Sequence, residues 1–309
     1  MTLPVSLSTR SGQQLRPLRV RLRGLFRSIP LWPSVVLMLV FLLGPILWAL
    51  YGSLTNSALT GPNAAHPKFV GLDNYRKLFD SPTFPKSVVL TLIFVVASAV
   101  IGQNGLGLAA ALMLRHAAKP VKLFFGLVFV GAWVLPEIVA AFAAYAFFHN
   151  HGTLNAILAS LGITGSNWLY VHPMLAVILA NIWRGSTFSM LVYSAALNEI
   201  PDEIREAASI DGAGGFSMFR LVTLPLIRRA MAANLLLTTL LTMSVFALIF
   251  VMTAGGPGFS STTLPLLAYQ EAFKYSQVGY GTTIAVVLLL IGALFSILYV
   301  RILKPEVDS

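Results

Sequence analysis

The segment EAASIDGAGGFSMFRLVTLPL, residues Glu206 to Leu226, interrupts a chain that is otherwise strongly apolar. It combines acidic and basic side chains with three glycines and ends in a Leu-Pro pair. Two long hydrophobic runs flank it. These flanking runs predict the fold. The structure of the polar segment between them has to be inferred from its own residues.

Local signals predict a helix, a turn and a second helix in this part of the chain. Pro201 and the two acidic residues that follow it suit the first turn of a helix, where the helix dipole is positive. Gly212 can adopt the left-handed conformation that ends a helix. A second short helix is predicted from Phe216 to Leu221, and the Leu-Pro pair at 224–225 should break it before the next hydrophobic run.

The first of these helices has a mildly apolar stripe. Ile204, Ala207, Ala208 and Asp211 fall on one face at helical spacing. So short a helix is not stable alone and is too polar to insert into a membrane. It therefore needs a packed surface to rest on, which could belong to this chain or to another protein.

The composition assigns the rest of the chain to a lipid bilayer. Of its 309 residues 57% are hydrophobic and 10% are charged, and the mean hydropathy is +0.80. A membrane-spanning helix needs about 20 mainly apolar residues. The sequence predicts an all-α integral membrane protein with six such helices, at about Leu31–Ser53, Ser87–Leu114, Leu123–Phe148, Pro173–Leu197, Ala230–Met252 and Tyr280–Val300.

The basic residues predict the orientation, because short cytoplasmic loops are enriched in Lys and Arg. With a cytoplasmic N-terminus, the outer side receives only Lys68, Arg76, Lys77, Lys86 and Lys274. Arg184 lies within a span, and all the other basic residues fall on the cytoplasmic side. Both termini are therefore predicted to be cytoplasmic. The net charge of +10 is explained by this topology, so nucleic-acid binding is not predicted.

The predicted domain organisation is simple. Residues 1–28 form a basic cytoplasmic tail that could be attracted to anionic lipid, and the first span is too long for a removed signal peptide. Residues 29–304 form the six-helix domain, with the cytoplasmic loop 198–229 inside it. Residues 305–309 form a short C-terminal tail. The sequence shows no convincing internal repeat.

The cytoplasmic segment resembles the signature of permease subunits from binding-protein-dependent ABC importers. The pattern is Glu-Ala-Ala, three residues, Gly, nine residues, an aliphatic residue, one residue, then Leu-Pro. Val222 stands where the pattern more often has Ile. The matching residues, with the similar Asp-Gly-Ala triplet inside the pattern, are Glu206, Ala207, Ala208, Asp211, Gly212, Ala213, Leu224 and Pro225.

Weaker resemblances narrow the family to its carbohydrate-uptake class. The outer segments Phe69–Pro82 and Thr253–Phe273, and the stretch GTLNAILASLGI from Gly152, are similar to outer loops of the maltose, lactose and glycerol-phosphate type of inner-membrane permease. The resemblance implies a type I ABC importer permease fold in the cytoplasmic membrane of a prokaryote. It also implies that Glu206–Gly212 is a coupling helix, which is seated in a cytoplasmic ATPase subunit.

The expected partners follow from the same resemblance. They are a second permease subunit, two cytoplasmic ATPase subunits and an extracytoplasmic solute-binding protein, all around the lipid bilayer. The chain has no Gly-Lys dipeptide and hence no P-loop, so ATP and Mg²⁺ are expected only in the ATPase partner. Cysteine is absent and the five histidines are scattered, so we expect no bound cofactor, metal site or catalytic residue in this chain, and no enzyme activity of its own.

Two charges lie within predicted spans, and such charges are costly and often functional. Taking both helices as straight, Glu137 and Arg184 lie at similar depths, so they could form an ion pair that locks two spans together, or one could contact substrate. Aromatic and hydrogen-bonding side chains on the fourth span suit a sugar. The candidate substrate path is Glu137, Asn181, Trp183, Arg184, Thr187 and Tyr193. Gln103 and Asn104, which lie among glycines, predict a close contact between helices instead.

The function predicted is therefore half of the translocation path for a carbohydrate in an ATP-driven importer. The alternative is a self-sufficient secondary transporter of a small polar solute. Such a transporter should show ion-coupling carboxylates and an internal repeat, whereas the predicted spans contain one Glu and the sequence shows no convincing repeat. An intramembrane lipid-modifying enzyme would need clustered acidic, His or Cys residues at one membrane face, which are also not seen.

Overall fold

A computed structural model describes residues 32–115 and 117–302, with side chains through Arg301. The predicted tails, 1–28 and 305–309, lie outside the described residues, as do residues 29–31 and 303–304 of the predicted membrane domain. The described chain is helical apart from its connections and one isolated antiparallel bridge between Thr55 and Phe69. It divides between Trp48 and Ala49 into two compact units.

The helices are numbered along the chain. They are α1 (Trp32–Met38), α2 (Gly44–Ser53), α3 (Pro62–Ala65), α4 (Asp73–Asp80), α5 (Thr83–Phe94), α6 (Asn104–Arg115), α7 (Lys119–Val134), α8 (Glu137–Phe148), α9 (Thr153–Ser160), α10 (Trp168–Val171), α11 (Pro173–Asn198), α12 (Asp202–Ile210), α13 (Gly215–Ser217), α14 (Leu224–Met243), α15 (Ala247–Thr253), α16 (Leu264–Tyr269) and α17 (Val278–Ile302). Four π-helical stretches join some of them, at Leu39–Leu43, Val95–Gln103, Met218–Thr223 and Gln270–Lys274.

The prediction of six membrane spans is confirmed. Five continuous helical stretches of the described chain are long and apolar enough to cross a bilayer, namely Trp32–Ser53, Thr83–Arg115, Pro173–Asn198, Gly215–Met243 and Val278–Arg301. The sixth is a bent pair, Lys119–Val134 followed by Glu137–Ser160, whose axes differ by 108°.

This bend corrects the prediction of one straight third span from Leu123 to Phe148. Leu135 and Pro136 between α7 and α8 have extended ψ angles of 131° and 141°. Proline has no N–H for the helical ladder, and its ring disfavours helical geometry in the residue before it. The Leu-Pro pair therefore ends α7, and α8 starts in a new direction. The depth that a straight helix would give Glu137 is consequently wrong.

The fifth span also differs from the predicted single helix, Ala230–Met252. Its main helix ends at Met243, and α15 continues after a break at residues 244–246. The break keeps its backbone groups bonded, since Val245 N–H donates to Thr242 O at 3.1 Å and Ser244 Oγ donates to Leu241 O at 2.9 Å. Broken helices are tolerated in membranes where such local bonds replace the helical ones.

The predicted break at Leu224-Pro225 is wrong. Residues from Gly215 to Met243 form one continuous helical stretch, so the second short helix is the cytoplasmic extension of the fifth span. Pro225 lies in the first turn of α14, directly after the π-helical stretch Met218–Thr223. Its missing N–H costs little at a point where the hydrogen-bond register changes from π to α.

Apolar packing joins the second to fifth spans in two layers. In the outer layer, Ala141 of α8 and Ala176 and Val177 of α11 pack with Leu248 and Ile249 of α15, all fully buried. The cytoplasmic layer is formed by Ala111, Met190, Tyr193, Leu197 and Ile227.

Small residues bring the second span close to the fourth. A Cβ atom on Gly107 would lie 2.4 Å from Ser189 Cβ, and one on Gly185 would lie 2.3 Å from Gln103 Cδ. Gln103 donates to Asn181 O at 3.1 Å, across the same contact. The prediction that the glycine-flanked amides mark a close helix contact is confirmed.

Candidate functional site

The polar segment folds as the sequence predicts at its first helix. Pro201 precedes α12, and Asp202 and Glu203 occupy the first turn. Gly212 has a φ of +81°, its N–H donates to Ser209 O at 3.1 Å, and Ala213 N–H donates to Ala208 O at 2.9 Å. These two bonds form a Schellman motif, which ends the helix and satisfies its last carbonyls. The C-terminal end of the helix is thus closed by local hydrogen bonds, while its N-terminal end has two acidic residues and no side-chain cap.

Helix α12 presents its side chains to the surroundings of the chain. None of its nine described residues is buried. Ile210 is 86% exposed, and Phe216 and Leu221 on the adjacent helical stretch are 74% and 70% exposed. Such a row of exposed apolar residues on a polar surface is typical of a protein interaction site. A shallow hollow of about 580 Å³ between Asp202, Ile210 and Met218 lies on the same face.

The contact between α12 and the membrane helices is electrostatic and narrow. Arg115, the last residue of α6, lies 3.9 Å from Asp202 Oδ1, and Arg205 lies 3.7 Å from the same oxygen. The Asp202 side chain is 81% exposed, so each pair is weak on its own. Apart from packing on the adjacent stretch Met218–Thr223, the described residues of this chain leave the outward side of α12 uncovered.

The remaining residues of the cytoplasmic motif lie on the same surface. Glu206, Ala207, Asp211 and Pro225 are exposed, and Ala208, Ala213 and Leu224 are half-buried. Leu224 and Pro225 begin α14, so they join the motif rigidly to the fifth span.

Three candidate path residues of the fourth span are engaged inside the protein. Asn181, Thr187 and Tyr193 are buried. Asn181 Nδ2 donates to Ser98 Oγ at 2.9 Å, Thr187 Oγ1 donates to Phe129 O at 2.8 Å, and the Tyr193 hydroxyl donates to Asn104 Oδ1. In this conformation their hydrogen-bonding groups hold helices together and do not face a cavity.

Trp183 has a different setting on the same helix. It lines a cavity of about 550 Å³ between α8 and α11, whose other walls include Ala143, Phe147 and Leu179. The indole is 43% exposed. The neighbouring Arg184 is half-buried, and its Nε atom is buried without a hydrogen-bond partner among the described residues.

Glu137 does not form the ion pair considered from the sequence. In the described parts of the chain, the ion pairs within 4 Å do not include Glu137 with Arg184. Instead, Glu137 Oε1 accepts a hydrogen bond of 3.2 Å from Leu248 N–H, at the start of α15. The bend before α8 redirects Glu137 toward the broken fifth span, where the carboxylate satisfies a backbone donor that the break left free.

The fifth span has a buried polar face that was not predicted from the sequence. Asn234, Thr238 and Thr242 are buried at intervals of four residues, on one face of α14. Asn234 Nδ2 donates to Asn104 Oδ1 at 2.8 Å, and Asn104 Nδ2 donates to Thr238 Oγ1 at 3.1 Å. Their four-residue spacing in the sequence indicates that these polar groups share one helix face. The structure shows that this face packs against the second span.

The outer face carries a charged groove beside α4 and α17. The Lys77 ammonium lies 4.3 Å from the centre of the Tyr280 ring and donates to Gln277 Oε1. Burial raises the pKa of Glu271 in this groove, and Lys77 partly opposes that rise. In the described residues, no group of three or more His, Asp or Glu side chains could hold a metal ion.

Six apolar spans, together with an exposed helix between the fourth and fifth of them, define an integral membrane protein. Comparison with known proteins gives the family. Residues 103–308 match the family described as "Binding-protein-dependent transport system inner membrane component". Because this match covers more than half of the chain, the protein belongs to that family.

Sequence similarity to known relatives extends over nearly the whole chain. The chain is 32% identical to the sulfoquinovosyl glycerol transport system permease of Agrobacterium fabrum, covering 89% of each protein. It is 31% identical to the trehalose/maltose transport system permease of Thermococcus litoralis, covering 87% of this chain and 90% of the relative. The multiple sugar-binding transport system permease of Streptococcus mutans is also 31% identical, with 90% and 94% covered.

A solved structure supports the fold. The chain is similar to a chain of the bacterial alginate ABC transporter, crystallised with an alginate pentasaccharide-bound periplasmic protein, with a TM-score of 0.76 at 20% identity. The similarity covers 93% of this chain and 96% of that one. The expected importer permease fold is therefore confirmed.

Proposed function

We propose that this chain is the membrane-spanning permease subunit of an ATP-driven importer and forms half of the path for a carbohydrate. The observation that carries this proposal is helix α12, which has no buried residue and ends in a Schellman motif, on a six-span permease fold. The sugar and sugar-derivative systems named in the relatives support a carbohydrate as the solute. The family does not support the alternative of a self-sufficient secondary transporter.

The proposed transporter contains further subunits besides this chain. Two cytoplasmic ATPase subunits bind and hydrolyse ATP with Mg²⁺, since this chain carries no P-loop. A second permease subunit forms the other half of the path. An extracytoplasmic binding protein delivers the solute, and the complex lies in the cytoplasmic membrane of a prokaryote. The relatives are transport permeases, in agreement with a chain that has no enzyme activity of its own.

In this proposal, residues Glu206 to Gly212 couple ATPase closure to the spans. The exposed side of α12, including Ala207 and Ile210, inserts into a groove of the ATPase subunit and buries apolar surface there. Movement of α12 is transmitted to the fifth span, because the motif continues through Leu224 and Pro225 into one unbroken helix. Asp202 transmits the same movement to Arg115 at the end of the second span.

The proposed substrate path runs beside the outer halves of the third and fourth spans. Trp183 contributes an aromatic wall to the cavity there, which suits the C–H faces of a sugar ring. The unpartnered Nε atom of Arg184 is an available donor nearby on the same helix. Glu137 lies at the bend that opens this region, and Asn181, Thr187 and Tyr193 fix the helix that carries Trp183.

Site-directed cross-linking tests the coupling assignment. The chain has no cysteine, so a single introduced thiol is the only one present. Ser209→Cys, on the exposed α12, should cross-link to a co-purified cytoplasmic ATPase subunit. The matched control is Ser160→Cys, which is also exposed but lies on the outer helix α9 and should give no such product. Equal cross-linking of both variants, or of neither, in an assembled and active complex would contradict the coupling role.

A second pair of variants tests the path. Trp183 and Trp133 are both 43% exposed, but only Trp183 lines the cavity beside α8. Trp183→Ala should weaken solute transport by about tenfold, if one aromatic contact is worth about 1.4 kcal/mol, whereas Trp133→Ala should not. The transport rate at limiting solute, normalised to assembled complex, distinguishes them. Equal losses would remove Trp183 from the path.

A further inference from the structure

A small cavity lies between the cytoplasmic ends of the second, third and fourth spans. Its volume is about 200 Å³. Arg115, Lys122, Ser194 and Asn198 supply its polar wall, which presents two cations, a hydroxyl and an amide. Among the described residues that line the cavity there is no carboxylate. The chemistry of this wall suits an anion with several acceptor oxygens.

Among the described residues, only weak ion pairs offset the positive charge around this cavity. The Arg115 side chain is only 14% exposed, and its carboxylate partner, Asp202, is 3.9 Å away. Asp202 is shared with Arg205 at 3.7 Å and is itself 81% exposed. One solvated carboxylate therefore faces two arginines, and Lys122 adds a third cation nearby. A half-buried arginine with so weak a partner has donors available for a second anion.

The position of the cavity relative to the membrane indicates which kind of anion it binds. Arg115 is the last residue of α6, Asn198 is the last residue of α11, and Lys122 lies in the first turn of α7. All three are thus at the ends of membrane helices, where lipid headgroups lie. The inner wall is apolar and includes Ala111 and Leu114. A ligand with a phosphate group at the outside and hydrocarbon behind it matches both walls.

We propose that this cavity binds the phosphate group of an anionic phospholipid of the cytoplasmic leaflet. Arg115 and Lys122 contact the phosphate oxygens, Ser194 and Asn198 complete the hydrogen bonds, and the acyl chains extend along the apolar wall. The site is independent of which solute is transported. Because Arg115 also contacts Asp202 of α12, the bound headgroup fixes the arginine that links the second span to the cytoplasmic helix.

Lipid titration of the purified full-length protein tests the proposal. The protein is extracted in detergent with the subunits that accompany it, and binding of phosphatidylglycerol and of phosphatidylcholine is measured by native mass spectrometry. Phosphatidylglycerol should bind more tightly. Lys122→Gln should weaken its binding by about tenfold, the loss expected for one charge-assisted hydrogen bond. Lys122 is exposed, so this substitution does not threaten folding.

Lys119→Gln is the matched control, because Lys119 is one turn away on the same helix, equally exposed, and does not line the cavity. It should leave phosphatidylglycerol binding almost unchanged. Equal losses in the two variants would show general surface attraction and overturn the site, as would equal affinity for both lipids. Inorganic phosphate, added at the lipid's concentration, should not displace the lipid. Displacement would assign the cavity to a soluble phosphate and contradict a lipid ligand.

Discussion

Replacing Gly212 by alanine should impair coupling through the backbone alone. Gly212 has a φ of +81°, which a residue with a Cβ atom adopts at a cost of about 1–2 kcal/mol. A Cβ added there would meet no described atom within 4 Å, so steric overlap adds nothing. The whole free-energy penalty therefore comes from the left-handed backbone conformation, and it destabilises the Schellman motif that ends α12.

This cost should appear as weaker binding of the ATPase subunit. If α12 binds the ATPase subunit only when its C-terminal end is formed, a penalty of about 1–2 kcal/mol lowers the affinity for that subunit about 5- to 30-fold. The assay is ATPase stimulation and solute uptake in proteoliposomes, measured as the ATPase subunit is titrated against the permeases. The titration midpoint should move to higher ATPase concentration, and saturating ATPase should restore most of the activity.

A neighbouring glycine provides the control. Gly214 has a φ of −69°, which any residue adopts, and a Cβ there would also meet no described atom within 4 Å. Gly214→Ala should therefore behave as wild type, and Gly212→Asn should lie between wild type and Gly212→Ala, because asparagine tolerates the left-handed region. If Gly212→Ala and Gly214→Ala gave the same titration, the reasoning from the helix end would be refuted.

Three further predictions concern stability. Gly107→Ala should lower the unfolding temperature in detergent, with a cost of about 1–3 kcal/mol, because its Cβ would lie 2.4 Å from Ser189 Cβ. Asn104→Leu should cost about 1–3 kcal/mol in the same assay, because it removes the acceptor of the buried Tyr193 hydroxyl and one of the two acceptors of Asn234 Nδ2. Glu271→Gln should stabilise the protein at neutral pH, with an advantage that disappears as the pH falls below the ordinary carboxyl pKa of 4.5.

Two of these predictions have a check that follows from the same contacts. Gly105→Ala, on the same helix as Gly107 but with no described atom within 4 Å of the added Cβ, should be neutral or stabilising. For Glu271 the folded-state pKa is raised, so its favourable contribution is present below pH 4.5 and is lost as the pH rises through the raised value. A variant whose advantage grew toward acid would show that Lys77, and not burial, dominates that carboxyl.

Much of the fold could be predicted because bilayer insertion demands long apolar runs. The six spans, the first cytoplasmic helix and the left-handed Gly212 all follow from local sequence. The broken spans could not be placed with the same rules. The predicted third span ran straight across Pro136, and the direction of the 108° bend there depends on packing of α8 against α15, which is a tertiary property.

The site was predictable where one segment carries it and unpredictable where several segments meet. The residues of the motif around Glu206 follow one another in sequence. One predicted helix is therefore enough to place them on the same surface. The partner of Glu137 depended on where the fifth span breaks, and the sequence suggested Arg184 instead of the Leu248 N–H. The polar residues of the fourth span looked like a path lining because their bonding partners on other spans could not be identified.

The central claim is that this chain works only as the membrane half of an ATP-driven complex. A mild-detergent pull-down of the chain from its native membrane, with protein identification and an ATPase assay on the eluate, tests this most directly. We expect a P-loop ATPase and a second six-span permease in the eluate, with ATP hydrolysis that solute and its binding protein stimulate. A chain that purifies alone or as a homo-oligomer and transports solute without ATP would contradict it.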